Sequence, residues 1–332
     1  MTEGNRHPEY AIRRIVTGHD AAGRAVIAMD GPAPNRQIRS YGTVSTLIWG
    51  TDETPADIWS GEDFGARENV IEPPPMGSWF RIVEFPPGTP GRMHRTDTVD
   101  YVVCLAGEID MELDDGLTVH MAAGDAMVQN GTNHSWINRG TESCRIAFAL
   151  LDAKRRPDGN LRGPGRQAPA PLAPLPDGAM PPLPPIRRIV TTHDANGRAT
   201  IMMDGPAPQR ALRGRGNMST LIWGSDETPA DIWSNEDFGL RDNEIEPPPR
   251  GSWFRIIDYP PGMPGRMHRT DTVDYVICMQ GEIDMELDDG VRVPMAAGDV
   301  MIQNGTNHSW INNSDRPCRI AFVLLEAKPR PS

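Results

Sequence analysis

"GRMHRTDTVDYVVCLAGEIDMELDDG", residues 91–116, returns as "GRMHRTDTVDYVICMQGEIDMELDDG", residues 265–290. A constant offset of 174 carries His94 to His268, Asp100 to Asp274, Gly107 to Gly281 and, with no gap, His134 to His308. Within the stretch, Ile109, Met111 and Leu113 alternate with Asp110 and Glu112. That period of two marks a half-buried strand. "DDG" is a hairpin signal, and "LTVHM" begins the return strand. Alternation also puts Asp100, Val102 and Cys104 on one strand face.

Around this stretch, short strand-like runs alternate with turns. "IRRIV" and "AVIAMD" read as two strands around a turn at Gly23, repeated at Gly197. His19 and His193 each precede an aspartate there and read as turn formers rather than ligands. "STLIWGTDETPADIW" (45–59) is repeated almost unchanged at 219–233. Its Leu47-Ile48-Trp49 run is a strand candidate, and the rest reads as a structural lid or an inter-repeat contact. The sharper alternative has Trp59 and Trp233 covering a pocket. "EPPP" marks a loop in each copy, because proline triplets cannot enter a central strand. "SWFRIVEF" follows as a strand with Trp79, Arg81 and Val83 on one face. "AGDAMVQNGTNHSWIN" then gives a turn, a short strand, a second turn and a strand carrying His134, Trp136 and Asn138. With no convincing amphipathic helix, the fold class is all-β, a barrel or sandwich occurring twice. The repeats divide the chain into domains at 1–154 and 186–332. A Pro/Gly/Ala-rich linker at 155–185 joins them.

The bulk properties agree. The chain has 332 residues, 33 glycines and 33 prolines, which suits turns and short strands. A formal charge of -12 argues against nucleic acid or an anionic membrane as partner. Cys104, Cys144, Cys278 and Cys318 form no CxxC pair and read as buried thiols, with one disulfide per repeat as the lesser case. The N-terminal residues lack an apolar signal core and no run is long enough to span a bilayer, so the expected location is cytoplasmic.

Functional chemistry concentrates at His94, Asp100 and His134, and again at His268, Asp274 and His308. Two imidazoles and a carboxylate converging inside a barrel are a metal site by ligand type, with positions left open for water or substrate. Both repeats resemble cupin domains, over about 12–154 and 186–328. His94 matches the first histidine of the family's first motif, Asp100 its glutamate position, and Gly107 its closing glycine. His134 and Asn138 match the second motif. Thr96 and Thr270 stand where the motif's second histidine belongs, and Asp replaces Glu. The resemblance therefore implies two tandem double-stranded β-helix (jelly-roll) barrels and a two-histidine, one-carboxylate set for a divalent ion: Fe(II), Zn, Mn or Ni.

The expected function is a metal-dependent enzyme acting on a small carboxylated or hydroxylated metabolite. Its chemistry would be dioxygenase-type or that of a decarboxylase, lyase or isomerase. Arg81 or Arg95, with Arg255 or Arg269, would anchor an anionic group, and Thr96 or Thr270 would orient a metal-bound water. The alternative is a non-catalytic metabolite-binding module, with Met93, Met111 and Met127 lining an adaptable pocket. The two barrels are expected to pack face to face as an intramolecular pseudo-dimer, with a homo-oligomer as a further possibility.

Overall fold

The computed structural model describes residues 11–68, 70–155, 166–234, 236–242 and 244–329. The first repeat holds eleven strands in the order β1 (Arg13–His19), β2 (Ala25–Pro32), β3 (Asn35–Ile38), β4 (Val44–Thr51) and β5 (Ser78–Phe85). It continues with β6 (Thr98–Ala106), β7 (Glu108–Glu112), β8 (Thr118–Ala122), β9 (Ala126–Asn130), β10 (Ser135–Ile137) and β11 (Cys144–Asp152). The second repeat opens with β12 (Arg187–His193), β13 (Ala199–Pro206), β14 (Arg210–Leu212), β15 (Met218–Ser225) and β16 (Ser252–Tyr259). It closes with β17 (Thr272–Gln280), β18 (Glu282–Leu287), β19 (Arg292–Ala296), β20 (Val300–Asn304), β21 (His308–Ile311) and β22 (Cys318–Glu326). Helical structure among the described residues is confined to three-residue turns such as Phe64–Ala66.

These strands form two barrels, each an eight-stranded sheet closed by a three-stranded one. Side-chain pattern follows layer. β7 and β8 alternate buried and more exposed residues because one face meets solvent. β4 is buried at every position because both its faces are covered, which explains the unbroken apolar run "LIW". The inward faces of the first barrel meet in a core containing Val102, Met111, Met127, Trp136 and Phe148.

The outward faces of the two large sheets share another core. Tyr101 stacks on Phe254 with ring centres 5.2 Å apart, and Phe80 on Tyr275 at 5.1 Å. Both buried phenols are satisfied across the junction, Tyr101 by Ser252 and Tyr275 by Ser78, each at 2.7 Å.

The repeats and the sheets do not coincide. β1 pairs in parallel with β20, so the first repeat's opening hairpin completes the second barrel. β12 pairs in parallel with β9, and the second repeat's hairpin completes the first barrel. The division at 1–154 and 186–332 follows the repeated sequence, whereas the hydrogen-bond ladders cross it. Ile189, Ala199 and Ile201 pack inside the first barrel, and Ile15 inside the second. A buried Arg188 in β12 still reaches back to Asp237 of its own repeat (2.7 Å), and Arg14 does the same to Asp63 (2.6 Å).

The segment 45–59 makes an inter-repeat contact, as its sequence suggested. Ala56 bridges Ala327, and the Trp59 indole donates to the Lys328 carbonyl at 2.9 Å. Of the expected linker, 156–165 lies outside the described residues. Its later part runs along the second repeat, with the Gln167 amide donating to Met202 and that of Ala173 to Pro208. All four cysteines are buried free thiols.

Candidate functional site

His94 arrives from the loop before β6 and His134 from the loop before β10. An isolated antiparallel bridge joins them, each amide donating to the other's carbonyl at 2.9 Å. Their ring centres lie 4.3 Å apart. The Nδ1 of His94 sits 2.9 Å from the Arg92 carbonyl, and that of His134 sits 2.9 Å from the Thr132 carbonyl. A carbonyl only accepts, so Nδ1 carries a proton in both rings. His94 is exposed, whereas His134 is buried. Burial, reinforced by the neighbouring His94, pulls the His134 pKa down to about 3. His134 is therefore a neutral acceptor at physiological pH. The second barrel repeats the arrangement, with His268 and His308 also 4.3 Å apart.

Asp100 lies on the inward face of β6, opposite Gln129 on β9 and Leu150 on β11. Its carboxyl accepts from the Thr98 hydroxyl at 2.6 Å, and Thr98 in turn bonds Thr96 at 2.7 Å. Burial raises the Asp100 pKa to about 7, against the opposing pull of Thr98 and Arg81. Asp274 behaves identically, again near 7.

Arg81 also faces inward, two strands from Asp100. It is 6% exposed and has no carboxylate within ion-pair distance among the described residues. Its Nη2 donates to the carbonyls of Val70 and Ile71, while its Nε has no partner. Burial lowers its pKa to about 10. Gln129 is 1% exposed, and its Nε2 reaches Thr132 while its Oε1 has no partner. Arg255 and Gln303 carry the same two orphan atoms in the second barrel.

The structure thus gathers part of the expected set. The histidines of each pair meet. Among the described residues, however, no three histidine, cysteine, aspartate or glutamate side chains group as a cation-binding cluster. Asp100 and Asp274 are engaged by threonine hydroxyls instead, and the donors as placed do not fit the three-ligand seat. Thr96 and Thr270 are buried, and their hydroxyls bond those of Thr98 and Thr272. Arg95 and Arg269 pair with Asp97 and Asp271 two residues on, and Arg95 lies over the Trp233 ring at 5.6 Å. Those guanidiniums are taken up by neighbouring carboxylates, whereas Arg81 and Arg255 lie buried inside the barrels. Of the methionines expected inside, Met111 and Met127 are buried in the barrel, while Met93 is exposed because it precedes the strand.

Gln129 and Gln303 escaped the sequence reading. The available signal was a polar residue on the same strand face as Met127, in both "AMVQN" and "VMIQN". A cleft of about 140 Å³ between the β1–β2 hairpin and residues 57–64 includes Trp59, Trp49 and Met29. It contains none of the barrel-mouth groups. The paired imidazoles and the orphan polar atoms are in the barrels instead.

The sequence pattern of the cupin domain matches residues 81–151 and 255–324. Phomopsin biosynthesis cluster protein C' of Diaporthe leptostromiformis is 37% identical over 150 residues, covering 43% of this chain and 79% of that protein. Cupin-domain-containing oxidoreductase fogC of Aspergillus ruber is 35% identical over 157 residues, covering 44% of this chain and 77% of that protein. Each alignment is shorter than one repeat period. Among solved structures, protein Ylba from E. coli is 11% identical with a TM-score of 0.48, over 99% of this chain and 97% of that one.

Proposed function

The chain belongs to the cupin family, and from that premise we propose that each barrel binds a small hydroxylated organic acid and acts on it by proton transfer. One observation carries this reading: a buried guanidinium N–H and a buried amide oxygen, both without partners, inside each of the two barrels. Buried polar groups are nearly always satisfied, so the pair calls for a ligand offering both an acceptor and a donor. A buried arginine with no ion-pair partner calls for that ligand to be an anion.

In this reading Arg81 holds the carboxylate, and the Gln129 oxygen and His134 Nε2 accept from hydroxyl groups. Asp100 is the proton carrier, because a pKa near 7 matches the working pH and a neutral imidazole with pKa near 3 does not. Arg255, Gln303, His308 and Asp274 repeat these roles. The relatives named as oxidoreductases support placing the chain among small-molecule enzymes.

Calorimetry tests the proposal with a panel of hydroxybenzoates and short 2-hydroxy acids, set against their neutral amides. Acids are expected to bind and amides to fail, with the preference lost in Arg81→Met/Arg255→Met. Equal binding of acid and amide would refute it.

A further inference from the structure

We infer that each barrel's buried histidine is positioned by a threonine of the other repeat: Thr191 sets His134, and Thr17 sets His308.

The β12–β9 ladder ends at Val190 opposite Val128, and the next residue, Thr191, runs on beside the loop that carries His134. Thr191 Oγ1 accepts from the Asn130 amide at 3.1 Å, and its carbonyl accepts from Asn130 Nδ2 at 3.0 Å. The same hydroxyl lies 2.9 Å from Thr132 Oγ1. Thr132 is then held at both ends: its hydroxyl faces Thr191, and its carbonyl accepts from His134 Nδ1 at 2.9 Å. Between them, Gly131 has φ +53, and a Cβ there would sit 2.5 Å from Ile232 of the second repeat. The second repeat therefore clasps this loop with a hydroxyl and a methyl, and the clasped loop presents the carbonyl that chooses the imidazole tautomer.

The second barrel is built alike. Thr17 takes the Asn304 amide at 3.1 Å and meets Thr306 at 2.9 Å, while the Thr306 carbonyl accepts from His308 at 2.9 Å. Ile58 of the first repeat lies 2.7 Å from where a Cβ on Gly305 would be. Thr17, Thr132, Thr191 and Thr306 are all fully buried. Water does not compete for these bonds, which makes the relay a defined part of the site.

The inference draws on the functional reading only for the importance of His134, and its test reads the imidazole directly. Full-length protein labelled with 15N-histidine is observed by imidazole nitrogen–proton correlation at neutral pH. Signals are assigned by His134→Gln and His308→Gln. The wild type is expected to show a single Nδ1-protonated form for both residues. Thr191→Val is expected to disperse or shift the His134 signal and leave His308 in place. Thr17→Val does the reverse, and Thr191→Ser restores the wild-type pattern. Should the valine variant fail to fold, Thr191→Cys, of similar size and a weaker donor, reads the same signal. An unmoved His134, or equal movement of both histidines, overturns the inference. Failure of hydroxy acids to bind would leave this result standing.

Discussion

His94 and His134 grip each other through two main-chain hydrogen bonds of 2.9 Å, and that clasp brings their imidazole centres to 4.3 Å. Backbone pairing thus forces together two rings that would repel if both were charged. The clasp places one ring in solvent and the other in the barrel, and the buried one stays neutral.

Acid sensitivity follows from that burial. The folded-state pKa of His134 and of His308 is depressed to about 3, so the unfolded chain takes up protons that the native protein refuses. Stability is full above the ordinary histidine range and is lost as pH falls toward 3, by roughly 2 kcal/mol per histidine at about pH 5. Urea denaturation across this range is expected to show the slope. His134→Gln/His308→Gln is expected to flatten it.

Asp100 and Asp274 give the opposite sign. Their pKa values are raised to about 7, so the native state keeps protons that the unfolded chain has already released. Their contribution falls as pH rises from about 4 to 7, which offsets the histidine slope. Asp100→Asn/Asp274→Asn is expected to gain up to a few kcal/mol per site over wild type at about pH 8 and nothing near pH 4. Turnover of a hydroxy acid substrate is expected to drop at least ~100-fold in the same variant.

Hairpin exchange makes a prediction about where damage appears. Ile15 is fully buried in the second barrel although it belongs to the first repeat. Ile15→Ala is expected to cost about 2–4 kcal/mol and to raise amide exchange first in β17 and β20, not in β6 and β9. Ile189→Ala is expected to do the converse, and hydrogen-exchange mass spectrometry reads both.

Chelation is expected to leave the fold unchanged. Both cores are apolar, and among the described residues no three-donor cluster holds elements together. Overnight dialysis against EDTA is expected to shift the melting temperature by less than about 2 °C, whereas a structural ion would account for several kcal/mol.

Much of the fold was legible because strand alternation is a local property. Ile109, Met111 and Leu113 declare an inward face without help from the rest of the chain. Asp100 and His134 were legible as buried polar groups because they stand out against apolar neighbours. Gln129 obeyed the same rule but was masked by the asparagine and glycine that follow it.

By itself, the sequence determined the all-β class, the duplication and the strand faces, since each depends on side-chain period along a single strand. Only the tertiary structure decided which barrel each opening hairpin completes. β9 and β20 offer nearly the same edge, "AMVQN" and "VMIQN", so local pairing energy does not distinguish them. Tertiary structure also decided that Asp100 bonds Thr98 instead of joining the histidines, because that choice turns on the direction of one short side chain.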